Sequence, residues 1–256
     1  MTVSVPFEIS VDRILGGRLA IAQPRDGYRA AIDPVLLAAC VPARAGERVL
    51  DLGCGVGTAA LCLAWRVAGS RVTGIDLQDD LIVLAQRNAR DNNLADRVEF
   101  QRGDVLAQSA GNFDHVLANP PYLERARASI SPNPIKAQAN VEGAAVLSDW
   151  VRAAVAMVSD GGSVTFIHRA DRADELCALM GVGLGRLTQL PLLPKVGAAP
   201  KRVLVQGVMG APHSLETLPP LVLHEAGGAF TGAVDAVLRD GVALPMLVDG
   251  ALTASR

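Results

Sequence analysis

Gly46-Glu47-Arg48-Val49-Leu50-Asp51-Leu52-Gly53-Cys54-Gly55-Val56-Gly57 is the stretch on which the fold turns. An apolar run carrying one acid ends in alternate glycines, and an Ala- and Leu-rich segment follows over 57–68. Residues 46–53 read as a short buried strand ending in a turn, and 57–68 as a helix. Glycines at such a junction let the main chain turn tightly and approach a ligand closely. Their spacing, Gly53-x-Gly55-x-Gly57, differs from the G-x-G-x-x-G of pyrophosphate-binding turns.

Downstream the same alternation repeats. Arg71–Asp76 reads as a second strand ending in an acid, and Asp79–Asn93 as a helix with Leu81, Leu84 and Ala85 on one face. Asp79 or Asp80 is expected to cap that helix. Arg97–Arg102 is a third strand, followed by Gly103-Asp104, and Phe113–Ala118 a fourth. A helix is expected over 143–158 and a fifth strand over Gly162–His168. Residues 184–192 and 202–208 read as two late strands forming an antiparallel hairpin at one sheet edge, joined by the Gly/Pro-rich stretch Pro191–Pro200. Alternating strands and helices imply an α/β, doubly wound, mostly parallel sheet covered on both faces. Three parts follow along the chain: an arm over 1–45 (a hairpin around Gly16-Gly17 and a helix over Asp33–Cys40), the α/β domain over 46–210, and an extension over 211–256 with a strand at Leu221–His224 and a helix at Gly232–Arg239.

In such sheets ligands bind beyond the carboxyl ends of the strands. Asp76 ends the second strand, where a carboxylate can accept hydrogen bonds from two ribose hydroxyls. Asp104 ends the third, placed to meet an adenine amino group, and Asp51 lies at the start of the glycine turn. This series resembles the class I S-adenosylmethionine-dependent methyltransferases over roughly residues 45–170. The resemblance implies a seven-stranded Rossmann-like sheet, S-adenosylmethionine as cofactor, and Asp51, Gly53, Gly55, Gly57, Asp76 and Asp104 as its binding residues.

The fourth strand runs into Asn119-Pro120-Pro121-Tyr122. An exocyclic amine conjugated to a purine is a weak nucleophile, but a sulfonium methyl donor needs no strong base. Two acceptors that hold the amino protons and aim the lone pair suffice, and the Asn119 side-chain oxygen and Pro120 carbonyl can supply them, so positioning is the main catalytic contribution. The prolines, Pro120 and Pro121, stiffen the turn and remove competing N–H donors. Tyr122 can stack on the base, worth ~1–3 kcal/mol. A base in folded nucleic acid must be splayed out to reach such a site. Asn-Pro-Pro-Tyr resembles the motif of amino-group methyltransferases, which serve adenine N6 and the glutamine side-chain amide.

Composition is that of a globular chain: 256 residues, 50% apolar and 20% charged, with net charge −2 and mean hydropathy +0.29. No apolar run reaches the ~20 residues of a membrane span. No basic-then-apolar leader opens the sequence, so a cytoplasmic location is expected. Cys40, Cys54, Cys62 and Cys177 form no CxxC pair, and the histidines show no ligand spacing, so no metal is expected. Basic residues cluster at Arg13, Arg18, Arg25 and Arg29, at Arg125, Arg127 and Lys136, and at Arg186, Lys195, Lys201 and Arg202. Nucleic-acid binding needs such clusters to converge on one face.

Beyond the shared motifs, the flanks resemble the bacterial tRNA(Val) adenine-N6 methyltransferase family. The matching segments are Gly27–Ala38, which leads directly to the glycine turn, and the basic strand Pro200–Gly207. That resemblance spans most of residues 10–210. It implies N6-methylation of adenine in tRNA near the anticodon, with Tyr28, Arg29, Asp33 and Asn119 lining the cofactor pocket and Arg125, Arg127, Lys195, Lys201 and Arg202 on the RNA. A release-factor glutamine methyltransferase and a non-catalytic RNA-binding protein of the same fold are the alternatives.

Overall fold

A computed structural model describes residues 5–25, 32–108, 110–121, 145–244 and 246. The glycine stretch folds as read. β3 (Arg48–Leu52) buries Val49, Leu50 and Leu52 completely, and α2 (Thr58–Arg66) follows the turn. The pattern continues through β4 (Arg71–Asp76), α3 (Asp79–Asp91), β5 (Val98–Arg102), β6 (Phe113–Ala118), α4 (Leu147–Met157) and β7 (Val158–Arg169). After α5 (Ala173–Met180) come β8 (Leu184–Lys195) and β9 (Arg202–Met209). The order across the sheet is β8-β9-β7-β6-β3-β4-β5. β3 to β7 are parallel and β9 runs antiparallel to both β7 and β8. The doubly wound sheet with its antiparallel hairpin is therefore observed.

Strand side chains alternate between two cores, as the period of two requires. Val49, Leu117 and Leu204 face one core with α1 (Asp33–Cys40), α2 and α3. Leu50, Val116, Val203 and Val205 face the other with α4 and α5.

The expected strand at Leu221–His224 joins the sheet, together with one that the sequence did not signal, Leu215–Thr217. β10 (Leu215–Thr217) pairs with Leu187–Gln189 of β8, and β11 (Leu221–His224) with Leu192–Lys195. Both occupy the side of β8 opposite β9, so the end of the chain covers what would be an open edge. β1 (Ile9–Ile14) and β2 (Leu19–Pro24) form a separate hairpin turning at Gly16-Gly17. α6 (Gly232–Asp240) buries Val234 and Val237 in the same core as Leu15, Leu19 and Val35, so arm and C-terminal residues pack together on α1. Arg18 fastens this junction, bonding the Arg239 carbonyl and lying 5.4 Å over the Trp65 ring. Among the described residues no helix is long and apolar enough to cross a membrane.

The expected α3 cap is not formed. Gln78 occupies the N-cap without a side-chain bond, and Asp79 instead pairs with Arg102 at 3.1 Å. The Gln78 N–H donates to Asp76 Oδ1 at 2.9 Å, so the N-cap falls on the residue before the aspartates while the helix itself starts at Asp79 as expected.

Candidate active site

Strand order reverses between β3 and β6, which run parallel: the chain builds toward β5 from one and toward β7 from the other. That junction is the topological switch point, where an open α/β sheet places its ligands. Leu52 of β3 pairs with Ala118 of β6 and, on its other side, with Ile75 of β4. The next residue on each strand is Gly53, Asn119 and Asp76. These three expected site residues therefore stand side by side on one rim.

The turn is held by its neighbours. The Gly53 and Cys54 N–H groups both donate to the Ile75 carbonyl, each at 2.9 Å, and Gly57 N–H donates to the Cys54 carbonyl at 2.9 Å. Gly53 and Gly57 have φ of +76° and +83°, where side chains are strained. A Cβ on Gly53 would come within 2.5 Å of the Trp150 ring on α4, and one on Gly57 would overlap Phe100 of β5. Gly55 differs: at φ +55° a Cβ there meets nothing within 4 Å. The turn is thus packed at both ends and open in the middle.

The strand-end acids divide into separate tasks. Asp76 Oδ2 accepts the Gly55 N–H at 3.0 Å, so the carboxylate is anchored to the open part of the turn. Burial raises its pKa, opposed by the N–H groups of Gln78 and Gly55. Asp51 is fully inside; its Oδ2 accepts the Ala60 N–H at 3.0 Å and caps α2, whose N-cap residue, Gly57, has no side chain. Burial pushes the Asp51 carboxyl up to about 7. Asp104 Oδ1 accepts from Leu106 N–H at 2.9 Å, starting a single helical turn, while Gly103 N–H donates to the Asp76 carbonyl at 2.9 Å. Burial also raises the Cys54 thiol well above its usual range, which keeps it in the protonated form.

Pro120 is buried and Pro121 half-buried directly after Asn119. Tyr28, Arg29, Tyr122, Arg125 and Arg127 lie outside the described residues. Among the described residues no group of His, Cys, Asp or Glu is assembled to hold a metal. His115, bonded to Ser163 at 2.8 Å and Glu47 at 3.0 Å, sits toward the opposite rim.

Beyond Asn119 the same rim becomes basic. β7 ends at Arg169, β9 starts at Arg202, and β8 ends at Lys195. Arg169 pairs with Asp171, and Arg172 binds Glu175 through two contacts of 2.7 and 2.8 Å. Arg202 Nε lies 3.0 Å from Asp33 Oδ2, so a residue expected on RNA and one expected at the cofactor form an ion pair. Lys195 and Lys201 are exposed. Sequence reasoning passed over Trp150 and Phe100, which fix the turn, and Asn88 of α3 with Asn92 at its C-cap. The two asparagines continue the Leu81, Leu84, Ala85 stripe where apolar residues are expected, and that departure was the available signal.

Known proteins are similar to this chain in sequence and in fold. A tRNA1(Val) (adenine(37)-N6)-methyltransferase of Glaesserella parasuis is 29% identical over 177 residues, 68% of this chain and 73% of the relative. A release factor glutamine methyltransferase of Chlorobaculum tepidum is 31% identical over 144 residues, 52% of this chain and 49% of the relative. The crystal structure of a predicted O-methyltransferase from Agrobacterium tumefaciens superposes with TM-score 0.69 at 28% identity, covering 82% of this chain and 97% of that one. The methyl donor is S-adenosylmethionine, and the open Gly55 backbone beside the Asp76 carboxylate suits a ligand carrying ribose hydroxyls. The family model of the methyltransferase small domain matches residues 31–175, and the chain belongs to that family.

Proposed function

We propose that the chain methylates N6 of an adenine in structured RNA, most directly a tRNA near its anticodon, in the cytoplasm. The observation that carries this reading is the placement of Asn119-Pro120-Pro121 beside Gly53 at the switch point, with a basic rim leading away from it. S-adenosylmethionine supplies a methyl group on a sulfonium, which leaves as a thioether when nitrogen attacks. The chain's own work is to bind and aim. Asn119 Oδ1 and the Pro120 carbonyl accept the two amino hydrogens and turn the nitrogen lone pair toward the methyl group. The methylated nitrogen then sheds one proton. Tyr122 stacks on the base, and Tyr28, Arg29 and Asp33 close the cofactor pocket with Asp76 and Asp104, while Asp51 supports the glycine turn from inside by capping α2. Arg125, Arg127, Lys195, Lys201 and Arg202 meet phosphates. An amide oxygen and a carbonyl are acceptors suited to an NH2 group, which favours nitrogen over the oxygen named for the Agrobacterium neighbour. The relatives' names support tRNA adenine as substrate.

A second reading, glutamine-amide methylation, is favoured by the Chlorobaculum relative and by the same pair of acceptors, which fits a side-chain NH2 equally well. In either case Asn119→Ala should lower kcat/KM by on the order of 10³-fold while the cofactor Kd changes by less than about threefold. Loss of cofactor binding in that variant would contradict the division of roles.

A further inference from the structure

Asn88 of α3 and Asn92, the residue that caps its C-terminal end, take the place of a neighbouring strand. Asn88 Oδ1 accepts the Ala22 N–H at 2.8 Å, and its Nδ2 donates to the Ala22 carbonyl at 2.9 Å. One helical turn on, Asn92 repeats the pattern with Ala20, at 2.8 Å in both directions. Ala20 and Ala22 are alternate residues of β2, so their backbone groups share one edge, and the other edge serves β1. The hairpin is docked on the helix by two amides.

Asn88 does one thing that Asn92 does not. Its second amide hydrogen reaches the Val56 carbonyl at 3.0 Å, inside the glycine turn. Asn88 is fully buried. The Val56 carbonyl and the Gly57 N–H belong to one peptide plane, and Asp76 holds the Gly55 N–H. The open part of the turn is therefore pinned on one side by Asp76 and on the other by Asn88. Glycine-flanked peptides have the most freedom to lose on binding a ligand, so fixing them beforehand raises affinity.

We infer that Asn88 is a positioning residue for the cofactor, setting the Val56 peptide of the glycine turn and tying that turn to the N-terminal hairpin. This rests on the turn being the S-adenosylmethionine site and not on the RNA reading. Asn92 is the internal control, because it docks the same hairpin without touching the turn.

The test compares Asn88→Ala, Asn88→Ser and Asn92→Ala in the full chain. Titration calorimetry gives the S-adenosylmethionine Kd, hydrogen exchange reads the Gly55 to Gly57 amides in the cofactor-free protein, and melting gives stability. Both alanine variants should melt lower, since each loses a two-way amide pair. Only Asn88→Ala should raise the Kd, by about tenfold or more, and speed exchange in the turn. Asn92→Ala should stay within about twofold. Asn88→Ser stays neutral and small, with a single hydroxyl donor too short to serve the Ala22 and Val56 carbonyls together, so it should follow Asn88→Ala and decides the matter if the alanine variant does not fold. Equal weakening by Asn92→Ala would assign the effect to the hairpin and overturn the inference, as would normal cofactor binding and turn exchange in the Asn88 variants. If the parent protein itself bound no S-adenosylmethionine, the cofactor site would fail first and the inference with it.

Discussion

The two flanks of the switch point are built on opposite principles. Toward β5 the rim is a pinned backbone: the ends of the glycine turn pack on Trp150 and Phe100, and Asp51 and Asp76 are spent on main-chain N–H groups. Toward β8 the rim is charge: Arg169, Arg172 and Arg202 are each held by an acid, and Lys195 and Lys201 stand exposed. A small ligand is recognised by fixed groups at fixed distances, so a single displaced atom is felt strongly. A polyphosphate chain is attracted by many exposed charges, each contributing a little and each screened by salt.

The largest effects should come from the packed ends of the turn. Gly53→Ala meets both a strained φ and the Trp150 ring, so a destabilisation of ~2–4 kcal/mol and loss of cofactor binding are expected in thermal melts and titration. Gly55→Ala has open space and should cost only ~1 kcal/mol in stability while still weakening the cofactor. Equal melting losses in the two variants would break the distinction between packed ends and open middle.

The flanks should also respond to pH with opposite sign. Asp51 is raised from 3.8 to about 7, so the folded state keeps a proton that the unfolded chain has lost, and this contribution to stability falls as pH rises through that window. His168, at the end of β7, is lowered from 6.5 to about 4, mainly by burial, so its contribution falls as pH drops from 6.5 toward 4. Relative to the parent, Asp51→Asn should gain melting temperature as pH rises from 4 to 7 and His168→Gln as pH falls from 6.5 to 4. Parallel curves for either variant would remove that group from the account.

Smaller and graded losses belong to the basic rim. Lys195→Ala and Lys201→Ala should each weaken RNA binding a few-fold and reduce the salt slope by about one, leaving the cofactor Kd unchanged. Smallest of all, Arg202→Ala should cost no more than ~1 kcal/mol of stability, because its pair with Asp33 is only partly buried.

The asymmetry between flanks explains what the sequence disclosed. Local signals sufficed for Arg71–Asp76 and Phe113–Ala118, whose observed bounds are those expected, because a short segment with Val, Ile or Leu bounded by Gly, Ser, Asn or Asp has few other readings. The hairpin at Gly16-Gly17 and the helix from Asp33 were legible for the same reason. The helix Ala173–Met180 went unread, and β10, exposed at every residue, carries no burial pattern at all. At the site, Gly53, Asp76 and Asn119 were legible as strand ends. The partners of those residues were not, because Trp150, Phe100 and Asn88 arrive from distant segments. Nor could spacing reveal that Arg202 and Asp33, far apart in the chain, neutralise each other.

The central claim is best tested by incubating the purified protein with labelled S-adenosylmethionine and tRNA from cells lacking the enzyme, then identifying the modified nucleoside. The account predicts N6-methyladenosine in tRNA, absent when Asn119 is replaced by Ala. Label recovered in a release-factor glutamine, with none in RNA, would contradict it.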